Sequence, residues 1–394
     1  MVLCSYSSIV EDPQLTGEGL NVNLSLPSAG YHDIQNLRIS APSLTSNALL
    51  SSDTNHDVIL RFQRRTALTL GTEHTKHVFA EVVPRLALQH KHLLHTVLAT
   101  TLLHDRALSG LPQSTTLVPY HLSRAASLFN QKLSDTIAHQ DRDALWATAV
   151  YLCAMAVFSV DTSDPWEAWP LKSSHPTDLE WLNMQAGLRV IWRLAQVDHG
   201  DSMFGHIEGY SKNNCVYPNL PESGIDGIPQ ALVELCGLTN HSTAFNSPYH
   251  ATVRHLSRLI RLKGSPANVL SFMVLAGGIT KEFRELLHQK DPRALLILAI
   301  WYSKLFHSTW WMARRARVEC QAICLYLDGL DTNFPAFDRV LGIVRMACAC
   351  WRTEAVLALF ATSDDISTPR LQNRAQCSIP EAPTSKIIDF DWVF

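Results

Sequence analysis

A chain of 394 residues with 46% hydrophobic and 18% charged residues can bury a large core, and it is lean in charge against the usual quarter or so. Its formal net charge of −3 supplies no field that would draw nucleic acid or an acidic membrane, which excludes a nonspecific polyanion binder. The opening MVLCSYSSIVEDPQ lacks a basic stretch followed by an apolar one, and nine scattered cysteines read as reduced thiols of the nucleus or cytoplasm.

Residues 1–55 are rich in Ser, Gly, Pro and Asn without a sustained period and read as a mobile N-terminal arm. From residue 56 the pattern turns helical. A first helix carries Val58, Leu60, Phe62, Leu68 and Leu70 and stops at Gly71; a second covers 74–89, with Pro84 expected to bend it. A third spans 93–108, and two long helices follow at about 119–139 and 141–160. In the latter, Trp146, Val150, Cys153, Met155, Val157 and Phe158 leave hardly any polar face, which predicts a place at the centre of the domain.

A Pro and Trp loop at 161–177 precedes a helix opened by Asp178, whose charge suits the helix dipole. Residues 200–229 read as loop, and helices return at about 246–263, 270–289, 291–308, 309–328 and 335–361. The apolar run Ala294 to Trp311 is broken by Lys304 and His307, with Arg314 and Arg315 just beyond, so it reads as a buried helix and not a membrane span. Residues 362–394 form a polar tail whose aromatic end, DFDWVF, is expected to dock on the bundle. No alternating strand pattern and no repeat of 20 to 50 residues is found. The predicted fold is all-α, an irregular multi-helix bundle over 56–361.

Four segments carry a family resemblance: HDVILRFQRRTALTLGTEH, VVPRLALQHKHLLHTVLATTLLHDRAL, LEWLNMQAGLRVIW and DPRALLILAIWYSKLFHSTWWMARRA. Their order and spacing resemble the regulatory domain of fungal C6 zinc-cluster transcription factors of the sterol-uptake-control type. The resemblance implies a helical bundle holding an apolar effector pocket. The DNA-reading module of such factors carries six cysteines including two C-x2-C pairs, and no two cysteines of this sequence have that spacing. Direct contact with nucleic acid is therefore not expected, and output through a DNA-binding partner protein is. The module is lost, or encoded elsewhere, or the scaffold serves another use.

An apolar pocket in such a bundle would be lined by Met155, Phe158, Trp301, Phe306, Trp310 and Trp311, with a hydrophobic small molecule as its occupant. His90, His92, His95 and His104 invite a metal reading, but only His92 and His95 share a helix face, so packing and capping suffice. Cys320 and Cys324 lie one turn apart, and Cys348 and Cys350 point in different directions, so a four-thiolate site would need unusual geometry and buried inert thiols are expected. Arg254, Arg258 and Arg261 read as a solvated stripe.

There is no G-x-S-x-G, G-x-G-x-x-G or Walker loop, and the two aspartates of SDDIS at 363–367 lie in the polar tail, so neither metal nor cofactor is expected. The first reading is a regulatory protein binding a sterol- or terpenoid-like metabolite, within secondary-metabolite gene regulation. The second is a metal- and nucleotide-independent cyclase or isomerase, for example a pericyclic cyclisation of a terpenoid or polyketide intermediate in the same pocket.

Overall fold

The computed structural model of the protein describes residues 52–71, 75–109, 116–160, 162–197, 200–205, 222–330 and 334–350. All fall within one compact unit, Met1–Phe360. The N-terminal arm, the polar tail with DFDWVF and SDDIS, and residues 351–361 of the last expected helix lie outside the described residues.

The described residues form 13 α-helices and no strand. These are α1 (Ser52–Arg61), α2 (Lys76–Gln89), α3 (Lys91–Ser109), α4 (Leu117–Ser134), α5 (Arg142–Phe158), α6 (Glu180–Leu194) and α7 (Gln230–Cys236). They continue as α8 (His250–Leu259), α9 (Val269–Gly278), α10 (Lys281–His288), α11 (Pro292–Ser303), α12 (Trp310–Asp328) and α13 (Pro335–Cys350). After α1 the backbone widens into a π turn, Phe62–Thr66, then tightens into a 3-10 turn, Ala67–Thr69.

Two helices form the interior. From Ala144 to Phe158 every residue of α5 is buried except Trp146 and Val150, which are partly covered. A helix apolar all round must be covered all round, and α3, α4, α6 and α12 pack against α5. All residues of α11 from Ala294 to Ser303 are buried too, between α12 and α13. The start of α11 is set locally: Pro292 occupies the first turn, where its missing N–H is harmless, and the Asp291 carboxylate accepts from the Ala294 N–H at 2.9 Å.

The number of α-helices differs from the sequence reading in two places. The single helix expected over 270–289 is two, α9 and α10, because Ile279 is extended and the Thr280 hydroxyl accepts from the Phe283 N–H to begin a new helix. The expected loop over 200–229 is followed by the unforeseen α7, too short at seven residues to show a period, and ended by Gly237 in the left-handed conformation at φ 61°.

Candidate functional site

The last turn of α5, Met155 to Ser159, is where the aromatic and polar interiors meet. On one side Phe158 receives Trp310 edge-on, with ring centroids 4.9 Å apart. The other face of the Trp310 environment is His104 of α3, stacked on it at 4.7 Å with planes 11° apart. The Trp310 indole N–H donates to the Thr69 hydroxyl at 2.9 Å, and His104 Nδ1 lies 3.1 Å from the Thr66 hydroxyl. Both threonines come from the π and 3-10 turns after α1, so the irregular backbone there supplies the two hydroxyls that anchor Trp310 and His104. The Arg314 guanidinium lies 5.4 Å from the Phe158 ring centre.

On the other side Arg315 closes the C-terminus of α5. Its Nε donates to the Val157 carbonyl at 2.8 Å, and its Nη2 to the carbonyls of Ser159 at 2.7 Å and Ala156 at 3.2 Å. A guanidinium at a helix C-terminus satisfies carbonyls that have no partner within the helix and meets the negative end of its dipole. One turn on, Glu319 forms an ion pair with Arg315, and the Tyr302 hydroxyl of α11 donates to Glu319 at 2.5 Å. Burial, the largest influence, pushes the Glu319 carboxyl above its ordinary value against the pull of Arg315 and Tyr302. The guanidinium lies 5.2 Å from the Trp181 ring, and Trp181 stacks on Trp301 at 5.9 Å. The Trp301 indole N–H donates to the Phe272 carbonyl of α9 at 3.2 Å.

Of the six residues predicted to line a pocket, Phe158 and Trp310 come together directly, while Trp301 pairs with Trp181. Met155 is fully buried and its carbonyl accepts from the Ser159 N–H and hydroxyl. Phe306 is fully buried with its carbonyl capped by Arg317, and Trp311 is buried with no hydrogen-bond partner on its indole nitrogen among the described residues. Sequence reasoning did not single out Tyr151, Trp181, Tyr302, Arg315 or Glu319. The spacing of Arg315 and Glu319, four residues apart on one helix, was the available signal; what it lacked was any sign that this pair faces inward.

Tyr151 carries a second notable feature. Its ring meets Phe62 and Phe79 edge-on at 5.7 and 5.9 Å, yet its hydroxyl is buried with no hydrogen-bond partner among the described residues, and so is the Trp181 indole nitrogen. Burial pushes the Tyr151 hydroxyl well above its ordinary value, so it stays a donor at any physiological pH.

The four histidines disperse. His90 faces Asp141 at 3.5 Å, His92 bonds the Thr148 hydroxyl at 2.8 Å, and His104 takes Thr66. His95 meets His121 of α4, Nδ1 to Nδ1 at 2.8 Å, a contact that requires one ring to donate and the other to accept. Burial is the largest cause that lowers His92, His104 and His121, each to about 4, so these rings are neutral. The arginine stripe of α8 and the turn after it is graded and not uniformly solvated: Arg254 is buried, Arg258 half-buried and Arg261 exposed. His255 beside it is pushed to about 4 by burial first and then by Arg258, Arg254 and Arg189. The thiols converge further than spacing showed, with Cys348 joining Cys320 and Cys324 in one buried group.

Residues 62–169 match the family model of the fungal specific transcription factor domain, a segment that runs from the π turn through α5 to the loop beyond it. No curated protein matches the chain. Among the described residues no helix is long and apolar enough to cross a membrane.

Proposed function

We propose that this protein is a transcription-factor-like regulator whose helical domain binds a hydrophobic metabolite, of sterol or terpenoid type, beside the last turn of α5. The class rests on the family match over residues 62–169. The observation that carries the ligand is that three buried donors have no acceptor among the described residues, the Tyr151 hydroxyl and the indole nitrogens of Trp181 and Trp311, each on a residue of the main hydrophobic core. Leaving a buried donor unpaired costs about 1–3 kcal/mol, and a mostly apolar molecule with one or two oxygens would supply what such groups lack. Met155, Phe158, Trp301, Phe306, Trp310 and Trp311 would form its apolar surroundings. Affinity would come from roughly 25 cal/mol per Å² of apolar surface buried, less the cost of ordering.

The effector would act by shifting α5 relative to α12, since Arg315 ties the end of one helix to the middle of the other. Output through a DNA-binding partner protein in the nucleus is part of the same proposal.

The test is extraction and mass spectrometry of the protein purified from its own host, joined to transcript measurement after deletion of its gene. A hydrophobic metabolite recovered chemically unchanged, with fewer transcripts of the target genes, is the expected result. Tyr151→Phe should weaken its binding about 2- to 10-fold, the equivalent of one hydrogen bond. Conversion of an intermediate by the isolated protein without nucleotide or metal, with transcripts unchanged, would overturn this in favour of a cyclase or isomerase.

A further inference from the structure

The cysteines of α12 and α13 stand apart from the effector region. Cys320 and Cys324 are one turn apart on the buried face of α12, and α13 packs against α12 and brings in Cys348. The three sulfurs lie within 4.8 Å of one another, and those of Cys348 and Cys320 are 3.2 Å apart. All three residues are at most 5% exposed. Cys320 donates to the Ala299 carbonyl at 3.4 Å, as Cys153 does to the Met184 carbonyl at 3.4 Å, so what sets the group apart is the approach of its three sulfurs.

We propose that Cys320, Cys324 and Cys348 form a three-thiolate site for a soft, closed-shell metal ion, with monovalent copper as the best fit and zinc as its competitor. A metal–sulfur distance of about 2.3 Å places three sulfurs roughly 3.8–4.0 Å apart, within the range these thiols already span. Binding would therefore need the Cys320 and Cys348 sulfurs to separate by roughly 0.6–0.8 Å. Thiolate ligands select soft ions over magnesium, calcium or manganese. Zinc in a structural site takes four ligands, and among the described residues no fourth His, Cys, Asp or Glu joins the group. A monovalent ion content with three sulfurs fits this donor set better.

The Arg345 guanidinium lies near Cys324. Arg345 itself pairs with Asp328 at 3.1 Å, one turn beyond Cys324, so a cation and its carboxylate partner rim the sulfur group. Each bound ion displaces up to three thiol protons, so affinity should rise with pH.

The test uses the full chain, reduced and oxygen-free, titrated with Cu⁺ against a competing chelator and separately with Zn²⁺. One ion per chain is expected, with X-ray absorption of the loaded native protein showing three sulfur neighbours for copper. Zinc held by the same three sulfurs plus one lighter atom would equally support the site. Cys320→Ser and Cys348→Ser should each lower affinity at least 100-fold, while Cys236→Ser leaves it unchanged. Circular dichroism and melting curves check that each variant is folded, and the absorption spectrum of the native chain needs no variant. The proposal is overturned if the native chain takes up no stoichiometric ion, if its ion has a nitrogen and oxygen shell, or if a Cys320→Ser/Cys348→Ser double variant binds as tightly as the native protein. It is also overturned if Cys320 and Cys348 are found as a disulfide whose reduction yields thiols that bind neither ion.

Discussion

Replacing Arg315 by Met keeps most of the aliphatic stem and removes the guanidinium that holds the end of α5. Three carbonyls, those of Ala156, Val157 and Ser159, lose a donor, and Glu319 is left buried with the Tyr302 hydroxyl as its side-chain partner among the described residues. The ion pair is 5% and 4% exposed on its two sides, so solvent cannot substitute for it. Removing one partner of a buried pair costs about 3–5 kcal/mol. At roughly 2 °C per kcal/mol for a domain of this size, the melting temperature should fall by about 6–10 °C. Adding Glu319→Gln removes the stranded charge and still accepts from Tyr302, so the double variant should recover about 1–3 kcal/mol of the loss. Glu319 has a raised folded pKa even with Arg315 present. Its contribution is therefore greatest below the unfolded carboxyl value and is lost as pH rises through the folded one, and removing Arg315 lifts the folded value further. Compared with the native protein, Arg315→Met should thus regain stability between pH 7 and pH 5. Urea denaturation followed by circular dichroism at both pH values measures all three effects. A loss below about 1 kcal/mol, or no recovery on adding Glu319→Gln, would refute the assignment of this pair as the lock between α5 and α12.

The buried histidines predict acid sensitivity of the opposite sign. Burial leads the causes that hold His92, His104 and His121 at about 4. Their stability is present above about 6.5 and is lost as pH falls towards 4, at roughly 1.4 kcal/mol per pH unit for each ring that folding keeps neutral. Denaturation midpoints should fall steeply below pH 6, and His104→Gln should flatten the profile; a level native profile down to pH 4.5 would contradict the burial argument. Gly264→Ala should cost about 3 kcal/mol, seen as a lower melting temperature. An added methyl there would sit 1.7 Å from the Lys304 carbonyl oxygen, a backbone atom that cannot step aside. An unchanged melting temperature would show that the close approach of these two segments is not maintained in solution.

The all-α class and the central position of α5 were legible in the amino acids, because a run such as Ala147 to Phe158 without a polar face has one physical solution, burial on every side. Helix starts with a local device were legible for the same kind of reason: Asp291 and Pro292 act within one turn of themselves. The break at Ile279 and Thr280 was also written locally, as two glycines followed by a capping threonine, but the apolar content of Val269 to Ala276 masked it. What the chain alone could not convey is which residues far apart in sequence share a place. His104 and Trp310 are adjacent only because the start of α12 is brought against the last turns of α3, and the role of Arg315 shows only once the end of α5 is laid beside it. Spacing along one helix made Cys320 and Cys324 neighbours, whereas Cys348 joined them through the packing of α13. Periodicity records which face of each helix is buried, and only tertiary packing decides which other face it is buried against.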